Sequence, residues 1–89
     1  MEAIADLPML NDIDADYSPQ YVKLARILRA EIESGQHKHG DTLPASALAR
    51  EYGVSVRVAW HALAMLAANR YVRQVGRFAP YTVTWRAVL

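Results

Sequence analysis

Between Ala45 and Asn69 the chain carries two short helical periods separated by only three residues, Gly53-Val54-Ser55, and this punctuation restricts the fold more than any other feature. Glycine closes a helix by entering the left-handed region without steric penalty, and serine opens the next by offering its hydroxyl to an unpaired backbone N–H. The first period fits a helix over Ala45–Tyr52 with Leu48 and Ala49 facing inward. The second begins after the Ser55 cap and runs towards Asn69, with Ala59, Ala62, Leu63 and Leu66 as its inward stripe. Ala49, four residues before Gly53, is small enough for the two helices to approach closely. This is the anatomy of a helix-turn-helix.

Upstream, Tyr21, Leu24, Ala25, Leu28 and Ile32 form one helical stripe, with Lys23, Arg26, Arg29 and Glu33 off it. Order is expected from Tyr17 onward: Ser18 as N-cap, Pro19 at the first helical position, and Tyr17 stapled against Val22. Gly35 ends this helix, and Gln36–Pro44 reads as a connector. Downstream, the β-branched and aromatic runs Tyr71–Val75 and Tyr81–Trp85 flank Gly76-Arg77-Phe78-Ala79-Pro80, which predicts a hairpin. The expected fold is mainly α, three helices with a small two- or three-stranded sheet.

With 89 residues the chain has room for one domain, and the absence of cysteine excludes disulfide staples, Cys-based zinc or iron–sulfur sites and thiol chemistry. No apolar run approaches the ~20 residues of a membrane span, and the first residues lack a basic segment, so a cytoplasmic, nucleoid-associated protein is expected. Net charge is only +1, yet it is unevenly distributed. Residues 1–16 hold Glu2, Asp6, Asp12, Asp14 and Asp16 without a base, a charge of −5. Residues 17–89 hold all ten bases against four acids, a net +6, and no acid follows Glu51. An acidic leader over 1–16, a polyanion-binding body over 17–85 and a short tail over 86–89 is the expected division, with the leader competing for the body's basic surface.

The outward face of the third helix carries Arg57, Trp60, His61 and Ala64 at helical spacing, opposite the inward stripe. Arginine and hydrogen-bonding rings near a helix N-terminus suit base edges and phosphates in a major groove. Arg73 and Arg77 on the hairpin can reach the neighbouring backbone or minor groove, and Arg50 is a further basic candidate. Trp60 has three readings: contact with a base or sugar, packing against the hairpin, or anchoring a protein interface. His37 and His39 lack the carboxylate or cysteine partners of a metal site, so no cofactor or metal is expected. Four acids in the ordered part, none in a recognisable motif with histidine, argue against an enzyme.

Residues 18–83 resemble the DNA-binding domain of the GntR family of bacterial transcription regulators, a winged helix-turn-helix. The resemblance rests on Ser18-Pro19-Gln20-Tyr21, Leu28-Arg29, Ile32, Gly35, Gly40-Asp41, Leu43-Pro44, Leu48-Ala49, Tyr52-Gly53-Val54-Ser55, Ala62-Leu63, Leu66, Val72 and Gly76-Arg77. It implies DNA contacts at Ser55, Gly76 and Arg77, which match the family's pattern position for position. Elsewhere the chain departs from it. Ser46 stands nearest to an arginine that often precedes Leu-Ala, Val56 occupies the place of a DNA-contacting arginine with Arg57 one residue later, and Trp60 replaces another arginine. Arg70 stands where a glycine usually follows the third helix, and the wing's Gly-x-Gly-Thr is here Gly76-Arg77-Phe78-Ala79.

The resemblance implies a repressor of double-stranded DNA sites, with the helix over about 55–69 in the major groove and the wing over 73–81 alongside. The expected DNA-binding set is Ser46, Arg50, Ser55, Val56, Arg57, Trp60, His61, Arg73, Gly76 and Arg77. A two-fold symmetric operator bound by two copies, at least on DNA, is expected. Regulators of this type usually continue into a metabolite-binding domain; this sequence ends at Leu89, so no small-molecule effector is expected. The alternative is a protein-interaction module presenting Val56, Trp60 and Ala64 together with the acidic leader.

Overall fold

The computed structural model describes residues 19–86. The acidic leader, the Ser18 cap and the Tyr17 staple lie outside this range, as do the last three residues of the tail. Three helices and three short strands follow one another as α1 (Gln20–Glu33), β1 (Thr42–Leu43), α2 (Ala45–Tyr52), α3 (Val56–Ala68), β2 (Val72–Gln74) and β3 (Tyr81–Val83).

Each helix starts and stops where its backbone can be satisfied. In α1 Pro19 is itself the N-cap, one position earlier than the first-turn role expected of it, and its carbonyl accepts from Val22 and Lys23. The helix ends at Ser34, after which Gly35 takes φ +89°. Gly35 N–H then donates to Ile32 and Gln36 N–H to Glu31, pairing two carbonyls that the helix leaves free. The α2–α3 turn follows the sequence reading closely. Gly53 caps α2 at φ +68°, Val54 N–H donates to Ala49, and Ser55 Oγ accepts from Val58 N–H at 3.1 Å to start α3. No atom crowds the place a Cβ would take at Gly53, so the glycine is needed for its backbone angle alone.

Leu24, Ala25, Leu28 and Ile32 of α1 meet Ala45, Leu48 and Ala49 of α2 and Ala59, Ala62, Leu63 and Leu66 of α3 in one buried core. The sheet closes its remaining side through Leu43, Val72, Tyr81 and Val83. Among the described residues Leu28, Ile32, Leu63 and Val83 combine large size with essentially complete burial; alanine supplies much of the rest. Small side chains allow close helix approach, which is how so short a chain reaches a dense interior.

The sheet has strand order β1-β3-β2, both pairings antiparallel. Thr42 faces Thr82 and Leu43 faces Tyr81 on one side of β3; Val72, Arg73 and Gln74 face Val83, Thr82 and Tyr81 on the other. The hairpin of β2 and β3 was legible in the sequence, although shorter than the runs suggested. β1 lies inside the segment read as a connector. A turn over 38–41, in which the Asp41 carboxylate accepts from Lys38 N–H at 2.9 Å, delivers it there.

A polar cluster joins α1 to the elements behind it. Tyr52 Oη lies 2.8 and 2.6 Å from the two Glu31 carboxylate oxygens, and His37 Nε2 lies 2.7 Å from Oε1. His37 is therefore a partner of Glu31. The contact spans a helix end and a turn, so spacing alone does not reveal it. Burial first, then the hydrogen bond and charge of Glu31, raise the Tyr52 phenol above its usual pKa of about 10. A raised pKa means that the neutral phenol is the stabilising form: its contribution is complete below that usual value and is lost only as pH rises towards the raised one. Tyr52→Phe should therefore lower stability by about 1–2 kcal/mol, with a loss that stays flat from pH 6 to 9. Thermal melts across that range check it, and an unchanged midpoint would count against the cluster.

Candidate nucleic-acid interface

The exposed face of α3 begins directly after the Ser55 cap. Val56 and Arg57, the first two helical residues, are both exposed, and the first turn holds no acid. A helix N-terminus already carries partial positive charge from its unpaired N–H groups, and the Arg57 guanidinium adds to it. The arrangement is unfavourable for the isolated helix and favourable for a bound anion. Ser55 is committed through its Oγ lone pair to Val58 N–H, while its hydroxyl proton remains free to donate.

The remaining stripe does not point one way, as the spacing suggested. His61 and Ala64 are exposed, but Trp60 is half-buried, its ring edge-on to Tyr81 of β3 with centroids 5.6 Å apart. The reason is the position of β3, whose Tyr81 stands beside this part of α3. The observed packing matches the second of the three readings held open for Trp60. His61 is exposed yet engaged, its ring edge-on to Tyr21 of α1 at 5.5 Å. Arg50 is exposed in the last turn of α2, where a cation also complements the negative helix end.

On the sheet, Arg73 projects outward between the buried Val72 and the half-buried Gln74. The wing loop that follows is tightly clamped. Gln74 Nε2 donates to the carbonyls of Arg77 and Ala79 at 3.1 and 3.0 Å, and Ala79 N–H donates to Gly76. Gly76 and Arg77 are exposed on this loop. Gly76 keeps an ordinary negative-side backbone and a Cβ there would make only van der Waals contact, so glycine is not required sterically.

Ser46, Val56 and Trp60 come together with Pro44, Ala45, Phe78 and Pro80 around an open cleft of about 270 Å3 between the α2 and α3 N-termini and the wing. Sequence reasoning placed three of these residues in the interface and missed Phe78, which is 89% exposed. An aromatic ring in a loop otherwise made of Gly, Arg, Ala and Pro was the available signal. Among the described residues no three His, Asp or Glu side chains gather as a metal site, and no helix is long and apolar enough to cross a membrane.

Among the described residues Arg70 supplies the one positive φ outside glycine, +67°. It follows α3 as Gly35 follows α1, with Arg70 N–H donating to Ala67 and Tyr71 N–H to Leu66. A side chain in this conformation costs about 1–2 kcal/mol that glycine avoids. Arg70→Gly should accordingly stabilise the fold by about 1 kcal/mol, seen as a higher urea midpoint at unchanged slope. A lowered midpoint would show that the Arg70 side chain makes stabilising contacts larger than the strain.

Residues 20–79 match the family described as bacterial regulatory proteins, gntR family. The chain belongs to the GntR family. Among solved structures, the GntR domain is similar to a crystal structure assigned as a GntR-family transcriptional regulator, at 35% identity and TM-score 0.66, over 79% of this chain and 28% of that one. A GntR family transcriptional regulator from Listeria monocytogenes gives 25% identity and TM-score 0.66, over 76% of this chain and 60% of that one. A transcriptional antiterminator from Listeria monocytogenes EGD-e, at 16% identity and TM-score 0.68 over 92% of this chain and 62% of that one, shares the fold alone. The chain thus spans 28% and 60% of the first two structures. No curated protein matches it significantly. Membership makes the GntR domain, with its winged helix fold, a DNA-binding unit of transcription regulators in coarse outline.

Proposed function

We propose that this chain is a sequence-specific, double-stranded DNA-binding repressor that lays α3 in the major groove and its wing along the adjacent backbone or minor groove. The observation that carries the reading is Arg57, exposed at the positive end of α3 next to Val56, which shares a cleft with Phe78 of a wing that also carries Arg77. Arg57 and His61 are assigned to base edges, and Ser55, Arg73 and Arg77 to phosphates. Arg50, Ser46, Val56 and Gly76 are assigned to the edge of the same interface, and Trp60, packed on Tyr81, to orienting the wing. Two copies are proposed on a two-fold symmetric operator, their half-sites about one turn apart. Occlusion of a promoter requires neither an enzyme activity nor a small-molecule effector. The acidic segment 1–16 is proposed to compete with phosphates for the basic face.

A second reading is favoured by one specific observation, the apolar cleft between Val56, Trp60 and Phe78. A protein partner's side chain docked there would make the domain an interaction module. The two readings part on salt. Duplex affinity should fall steeply between 50 and 200 mM salt, as ion release demands, and the chain lacking residues 1–16 should bind more tightly at the low end. Electrophoretic shifts with random and genomic duplexes measure this; no retained duplex at low salt would leave the interaction module as the better account.

A further inference from the structure

We propose that Phe78 is a wedge that enters the base stack of the bound duplex from the minor groove and kinks it. The proposal deepens the DNA-binding reading and rests on it. Phe78 is 89% exposed, the most exposed large apolar residue among those described. The backbone that carries it is held in place. The Gln74 amide fixes the carbonyls on both sides of Phe78, at Arg77 and Ala79, so the loop presents the ring at the rim of the cleft. Arg77 precedes it, and Arg73 lies exposed on the strand leading into the loop.

The occupant follows from charge and shape together. From Tyr52 to the end the sequence holds five arginines and no acid, so whatever meets the wing is anionic on its outside. It must also offer an apolar slot for a planar ring. Duplex DNA meets both conditions, with phosphates flanking each groove and stacked base faces between them. Phenylalanine opens such a stack by partial insertion, and the kink that results brings more backbone to the flanking arginines. Pyrimidine–purine steps unstack most easily, so a TA or CA/TG step is expected under the wing.

The test uses duplexes enriched from a random-sequence pool by the full chain, end-labelled for energy transfer and carrying 2-aminopurine at successive positions. Binding should bring the ends together, as for a kink of about 20–90°, and brighten 2-aminopurine at one step. Phe78→Ala should lose both signals and bind about tenfold more weakly, whereas Phe78→Leu, still a wedge, should keep both. Arg77→Ala should weaken binding and flatten its salt dependence while retaining the bend. Circular dichroism melts should show all three variants folded as the parent, since both side chains are exposed. A straight complex, or a Phe78→Ala complex bent like the parent, overturns the wedge and leaves DNA binding standing. Failure to enrich any duplex overturns both.

Discussion

Leu63→Ala should lower the unfolding free energy by about 3–5 kcal/mol, the largest effect expected of any single truncation in the domain. Leu63 is fully buried on the inward stripe of α3, and among the described residues it is one of four large side chains that are essentially inaccessible. Its neighbours on that stripe, Ala59 and Ala62, are small and buried, so there is little side chain beside it to move into the space vacated. A domain of this size has total stability of about 0.05–0.15 kcal/mol per residue, so the loss is comparable to the whole. Urea titration should show a sharply lowered midpoint with little native baseline, and DNA binding should disappear with it. A loss below about 1 kcal/mol would mean that the site relaxes, contrary to the packing described.

Arg57→Ala should act in the opposite sense on stability and binding. Removing a cation from the positive end of α3 relieves repulsion, so the fold should be unchanged or stabilised by about 0.3–1 kcal/mol. Duplex affinity should meanwhile fall by about 1–3 kcal/mol, roughly 5- to 150-fold, with relaxed choice at the base it reads. Competition binding against single-position operator variants distinguishes the roles. A uniform weakening across all variants, with a salt slope reduced by about one, would reassign Arg57 to a phosphate. Unchanged affinity would remove it from the interface altogether.

The helices were readable because their information is local. Apolar residues at helical spacing predicted every buried position of α3, and Gly35, Gly53 and Ser55 marked the breaks where backbone groups had to be satisfied. Other features depended on distant partners. β1 is two residues long, too short to show alternation, and exists because Thr42 and Leu43 meet Thr82 and Tyr81 some forty positions later. Helical periodicity places Trp60 by angle on α3 but gives no sign that Tyr81 stands over that angle. Arg70 is a similar case: the family resemblance marked the position as one where glycine is usual, and the structure shows that the left-handed backbone was kept and the arginine accommodated it. The site was legible as a set of exposed cations, whereas Phe78 escaped notice because sequence does not show that its loop, held by Gln74, leaves the ring in solvent.

The middle strand of the sheet is the last element of the described chain to be synthesised. As the chain emerges from a ribosome, all three helices and both edge strands precede β3, and the core waits for Tyr81 and Val83 to close it. Until then Leu43 and Val72 have no strand between them. The unfinished domain would present α3 with Arg57 before its wing is anchored, so a nascent or prematurely terminated chain should be a substrate for proteolysis and not a binder of duplex DNA. Completion of one short strand thus couples the quality of the polypeptide to the formation of its winged helix fold.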